Sequence, residues 1–171
     1  GNHKLLAKYN IEFAKTNETG TFLYLAKDSE YIGLIILKDT IKDEAKVEVS
    51  NLHNMKKNVV VLSGDASDVV SEVCNEIGID KYYAELLPND KVSLLEQIIK
   101  TSEGKTMYIG DGINDAPVLA MSDIGVSMGQ IGSDAAIEAS DVVILNDDLS
   151  SVSKMLKIAK RTRRIVFENI F

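Results

Sequence analysis

The run Gly110-Asp111-Gly112-Ile113-Asn114-Asp115 sets two carboxylates four residues apart, between glycines that permit a close approach. Oxygen donors so spaced suit a hard divalent cation held between protein, water and phosphate, and Mg²⁺ is the ion such a site takes. Read alone, the run is also a polar turn in which Asn114 or Asp115 caps a following helix. Its place directly after the apolar Thr106-Met-Tyr-Ile109 favours the metal reading, with Asp111 and Asp115 as the candidate ligands and Asn114 in support.

Two further segments supply complementary chemistry. Leu62-Ser63-Gly64-Asp65 follows another apolar run, Asn58-Val-Val-Val61. A hydroxyl and backbone N–H groups at such a strand-to-helix turn can hold phosphoryl oxygens. Pro88-Asn89-Asp90-Lys91 opens a helix, with Pro88 near its first position. Lys91 beside a phosphate would neutralise charge that develops during transfer. Each segment alone is a common turn or a solvent-facing lysine. Together they describe a phosphoryl-handling site.

Elements that position these groups follow from the hydrophobic pattern. Residues 4–9 suggest a short helix, and Thr21–Ala26 and Tyr31–Leu37 read as a hairpin across Lys27-Asp-Ser-Glu30. From Ile41 the apolar spacing becomes helical, through Ala45, Val49, Leu52 and Met55. Strands at 58–62, 106–109, 123–126 and 141–145 then alternate with helices containing Val69–Ile77, Leu94–Ile99 and Pro117–Leu119, closed by a long helix from Leu149 to about Asn169. This alternation specifies an α/β, Rossmann-like parallel sheet flanked by helices, with ligands at the carboxyl ends of the strands. The first 38 residues do not share it and form the remnant of a second domain, a small β-hairpin, so the boundaries are 1–38 and 39–171.

Composition narrows the function classes. The 171 residues are 45% apolar and carry a net charge of −7, which excludes a disordered tail and argues against a general nucleic-acid binder. The single cysteine, Cys74, excludes an internal disulfide and reads as a buried apolar residue on a helix. His3 and His53 have no metal-ligand spacing, and the five methionines are scattered core filler. From Ser151 onward there are six bases and one acid, leaving 13 bases and 25 acids in the first 150 residues. That basic end is either a solvated face or a juxtamembrane segment on the cytoplasmic side. Apolar residues return at Phe167–Phe171, which reads as a cut edge, and there is no apolar run long enough to span a bilayer.

The three motifs, in this order, resemble the haloacid dehalogenase superfamily, and their wording resembles its P-type ATPases. GDGINDAPVLA (110–120) is similar to the hinge signature of those enzymes, LSGD (62–65) to a motif usually written with Thr, and PNDK (88–91) to their lysine segment. LKDTIKDEA (37–45) resembles the opening of the phosphorylation domain, and Gly1-Asn2 a pair near the end of the nucleotide-binding domain of heavy-metal-transporting members. The GSDAAIEASD wording leans toward the zinc/cadmium/lead branch over the copper branch.

The resemblance implies part of an ATP-driven pump for a soft divalent cation, working through an aspartyl-phosphate on the cytoplasmic face of a multi-pass membrane protein. ATP and Mg²⁺ would be its substrate and cofactor; the transported ion and the other domains of the polypeptide would be its partners. It assigns Asp111 and Asp115 to Mg²⁺, Ser63, Asp65, Lys91 and Asn114 to catalysis, and Gly1, Asn2, Asp39, Lys42 and Gly64 to nucleotide or phosphate. Three departures stand out. No DKTGT nucleophile occurs in the chain, Ser63 replaces Thr, and Lys42 stands where many relatives have Arg. A chain without that nucleophile is expected to be inactive alone. The alternatives are a stand-alone phosphatase with Asp39 as nucleophile, although Ile41 stands where such enzymes place a second aspartate, and a non-catalytic regulatory module acting through the basic helix.

Overall fold

A computed structural model describes residues 1–14, 16, 20–37, 40–110, 115–129, 134–146 and 148–170. The chain divides into two compact units, Gly1–Ile41 and Lys42–Phe171.

In the first unit a short helix, α1 (His3–Lys8), precedes an antiparallel hairpin of β1 (Thr21–Lys27) and β2 (Glu30–Leu37). Asn2 caps α1, its Oδ1 accepting the Leu5 N–H at 3.1 Å. The two-residue turn places Asp28 at φ 51° and Ser29 at φ 68°, both left-handed, as a twist-matched hairpin turn requires. The ring of Tyr24 is buried, edge-on to Phe13 with centroids 5.0 Å apart.

The second unit alternates strictly. Helix α2 (Asp43–Asn54) leads to β3 (Val60–Leu62), α3 (Ser67–Ile77) and β4 (Lys81–Tyr83). Then come α4 (Pro88–Thr101), β5 (Met107–Gly110), α5 (Ala116–Met121), β6 (Ile124–Met128), α6 (Asp134–Ala139), β7 (Val142–Ile144) and α7 (Ser150–Ile170). Gly78 ends α3 in the left-handed conformation at φ 80°, which a side chain would disfavour. Strand β4 and helix α6 were not legible from periodicity; three residues of β4 are too few to show a period.

Every strand pairing in this unit is parallel, in two pieces: β3 beside β4, and β5, β6 and β7 in that order. Helices cover both faces, as the alternation along β5 shows. Tyr108 packs with Leu95 of α4 and Val118 and Leu119 of α5, whereas Met107 and Ile109 join Val126 and Val152 on the other side. Strand β3 alternates in the same sense: Leu62 joins the Tyr108 cluster, and Val61 packs with Val70 and Cys74 of α3. The sequence suggests one continuous sheet. Among the described residues, β3 and β5 share a helix layer and an apolar cluster without pairing.

Backbone packs closely at Gly125, where a Cβ would lie 2.7 Å from the Leu119 carbonyl oxygen. Val118, Leu119 and Val126 are at most 1% exposed, each contributing about 1.5–3 kcal/mol of burial.

Candidate active site

The site forms where β3 and β5 end. Ser63 continues the β3–β4 pairing, donating its N–H to the Tyr83 carbonyl at 2.9 Å. Its hydroxyl donates to Asp65 Oδ2 at 2.8 Å and accepts the Asp65 N–H at 3.2 Å, closing a tight polar turn. The backbones of Ser63 and Asp65 accept the N–H groups of Leu86 and Glu85, at 3.0 and 2.9 Å. Gly64 packs closely there, since a Cβ would lie 3.2 Å from the Leu86 oxygen.

Leu86 runs directly into α4. Asp90 accepts the Leu87 N–H at 3.0 Å, which fixes the helix start and puts Lys91 in the first turn. Lys91 Nζ then reaches Asp115 Oδ1 at 2.9 Å across 24 residues of sequence. The two side chains are only 17% and 12% exposed. Asp115 is itself held by its backbone, its carbonyl accepting from Val118 and Leu119 at the start of α5. Gly110 makes room for it: a Cβ on Gly110 would sit 2.9 Å from Asp115 Oδ2 and 3.0 Å from the Tyr108 ring. A strand end, a helix start and a post-strand acid thus converge on one cation–carboxylate pair.

A haloacid dehalogenase-like hydrolase family matches residues 1–123. The chain belongs to that family. The chain is 45% identical to the "Cadmium, zinc and cobalt-transporting ATPase" of Bacillus subtilis (strain 168), a match covering 99% of this chain and 25% of that protein. It is 42% identical to the "Zinc-transporting ATPase" of Synechocystis sp., covering 99% and 24%. The crystal structure of a zinc-transporting PIB-type ATPase in its E2.Pi state superposes with a TM-score of 0.78 at 27% identity, covering 98% of this chain and 26% of that one. The chain therefore spans about a quarter of the length of the curated relatives it matches.

Ser63, Gly64, Asp65, Lys91 and Asp115 lie in the second unit, tied together by the bonds above. Asp39, Asp111 and Asn114 lie outside the described residues. Lys42 stands at the N-cap position of α2 and is exposed. Gly1 and Asn2 lie in the first unit. Gly1 exchanges backbone hydrogen bonds with Tyr24 and borders a cavity of about 320 Å³ with Leu5, Leu6, Tyr9 and Tyr24. Asn2 spends its side-chain oxygen on the α1 cap. Gly110 was read from the sequence only as permitting a close approach; the group that approaches it is the Asp115 carboxylate.

Among the described residues no group of three or more His, Cys, Asp or Glu converges on a metal. Mg²⁺ needs few protein oxygens, because water and phosphate complete its octahedron. Asp115 offers one such oxygen, with Lys91 on its other flank, so the donor chemistry fits. The same geometry suits a phosphoryl group: the Lys91 ammonium and the Ser63 hydroxyl stand by the strand ends.

Proposed function

We propose that this chain is the greater part of the phosphorylation domain, with the end of the nucleotide-binding domain, of an ATP-driven pump for a soft divalent cation such as zinc or cadmium. The observation that carries the reading is the Lys91–Asp115 pair at the strand ends, tied through Leu86 to the Ser63 turn. The names of the relatives point the same way. On this reading residues 1–38 are nucleotide-binding and residues 39–171 phosphorylation domain, and the whole polypeptide sits with this part at the cytoplasmic face of a membrane.

Phosphoryl transfer is catalysed mainly by positioning and charge neutralisation. Lys91 binds a phosphoryl oxygen in exchange for Asp115, and the Ser63 hydroxyl turns from Asp65 to a second oxygen. Asp111 and Asp115 would hold Mg²⁺, with Asn114 in support, and the ion would supply charge to offset that of the phosphoryl group. Asp65 steadies the Ser63 turn. By the resemblance alone, Gly1, Asn2, Asp39 and Lys42 are assigned to the nucleotide. The phosphorylated aspartate comes from a strand outside this chain. A parallel strand laid between β3 and β5 would join the two sheet pieces and end beside Lys91.

The test uses the longer polypeptide in membranes. Labelled ATP should give an acid-stable, hydroxylamine-sensitive phosphoprotein only with a soft divalent cation present, and Asp111→Asn should abolish it. Normal phosphoprotein in that variant would overturn the assignment.

A further inference from the structure

Lys91 is placed by its backbone before its side chain reaches Asp115. Its N–H donates to the Leu87 carbonyl at 3.1 Å, in the first turn of α4. The Leu87 peptide is therefore the anchor from which the ammonium is aimed. Just before that anchor the chain joins the Ser63 turn. The Leu86 N–H donates to the Ser63 carbonyl at 3.0 Å, and the Glu85 N–H to the Asp65 carbonyl at 2.9 Å. The Lys91 ammonium and the Ser63 hydroxyl are thus set by one short segment, residues 85–87.

That segment has weak local support. The N-cap position of α4, where Ser, Thr, Asp or Asn would supply an acceptor, holds Leu87, whose side chain has none. Pro88 at the helix start has no N–H. Leu87 is 68% exposed, so burial does not fix it. Glu85 sits at φ 57°, a left-handed conformation that a non-glycine residue keeps only where its surroundings enforce it. Asp90 supplies the missing restraint. Its Oδ2 accepts the Leu87 N–H at 3.0 Å, and its own N–H donates to the Leu87 carbonyl at 2.9 Å. This is the half of a capping box that reaches back from the third helical residue. A negative charge one residue from Lys91 weakens the field that a phosphoryl oxygen would meet, so the site gains from the acceptor and not from the charge.

We propose that Asp90 is a positioning residue for phosphoryl transfer: by clamping the Leu87 peptide it holds Lys91 and the Ser63 turn in one geometry. The inference rests on the phosphoryl-transfer reading of the site.

The test is phosphoprotein formation from labelled ATP by the longer polypeptide in membranes, followed across ATP concentration. Asp90→Ala should slow the step about tenfold to 100-fold at saturating ATP, because about 1 Å of misplacement can cost 100-fold. The ATP concentration for half-maximal rate should not change. Asp90→Asn, whose carboxamide oxygen accepts the same N–H, should match or exceed the wild-type rate. Asp148→Ala serves as the stability control: it removes the acceptor of the Ser150 N–H, at 2.8 Å, from the start of α7. It should lower the melting temperature, as Asp90→Ala does, yet phosphorylate normally. A wild-type rate in Asp90→Ala, a loss confined to low ATP, an Asp90→Asn protein as slow as Asp90→Ala, or equal slowing in Asp148→Ala overturns the proposal and leaves the pump reading standing. Absence of phosphoprotein from the wild-type polypeptide overturns both.

Discussion

Glu48 of α2 reaches across 105 residues of sequence to hold the first turn of α7: its Oε1 accepts the Ser153 N–H at 2.6 Å and its Oε2 the Ser153 hydroxyl at 3.0 Å. Both residues are buried, and Asn51 donates to Glu48 Oε2 at 3.3 Å. The N–H groups of a first helical turn lack intrahelical acceptors, so a side chain from a neighbouring helix here does the work of a cap. The contact locks the first helix of the second unit to its last.

Truncating that carboxyl group strands a buried donor. Glu48→Ala should lower stability by about 1–3 kcal/mol, and Ser153→Ala, which keeps the backbone bond, by less. Urea unfolding of the singles and the double mutant checks this. Additive effects would contradict a direct Glu48–Ser153 coupling.

Two glycines should separate stability from chemistry. A Cβ on Gly125 meets the Leu119 backbone at 2.7 Å, so Gly125→Ala should cost about 1–3 kcal/mol as overpacking of a rigid site. A Cβ on Gly110 meets instead the side chains of Asp115 and Tyr108, which can shift. Gly110→Ala should fold with a small loss in unfolding midpoint but lower phosphoprotein formation in the longer polypeptide. A Gly110→Ala protein with full phosphorylation would detach Gly110 from the site.

Most of this fold was legible because its strands are short apolar runs followed by punctuation. Val60–Leu62, Met107–Gly110 and Ile124–Met128 fall inside or beside the runs that periodicity marks. The register of Ser63 with Tyr83 was not legible, because Lys81–Tyr83 gives no pattern until it is paired with β3. The Lys91–Asp115 contact joins residues from two separate motifs, and sequence spacing carries no information on whether two such side chains meet. The Glu48–Ser153 lock was hidden for the same reason: a glutamate within a helix reads as a solvated face. Asp39, Asp111 and Asn114 lie outside the described residues and rest on the sequence alone.

Asp123 should couple stability to acid. Its hydrogen bond from the Lys105 ammonium at 2.5 Å, and then the Thr106 N–H, hold its carboxyl below the usual range. A carboxyl lowered on folding stabilises the native state above its unfolded pKa and loses that contribution as pH falls through its folded one. Asp148 behaves alike, held low by the Ser150 hydroxyl and N–H at the start of α7. Urea midpoints should therefore fall below about pH 4, and Asp123→Asn should flatten that fall. An unchanged pH slope would contradict it.

Cys74 should be silent in the native protein. It is fully buried, and burial pushes its thiol above the usual range. Alkylation by a maleimide should follow unfolding, accelerating with urea in step with the loss of helix signal. Rapid labelling without denaturant would show that the α3 packing opens.

The most direct measurement is the rate of phosphoprotein formation from ATP in the longer polypeptide with Lys91→Ala, beside Lys91→Arg as the charge-retaining control. Removal of a preorganised cation from a phosphoryl site should slow the step by about 100-fold or more, with Arg restoring part of the rate. A Lys91→Ala protein that phosphorylates at the wild-type rate would contradict the account, leaving the Lys91–Asp115 pair as an ion pair of the fold alone.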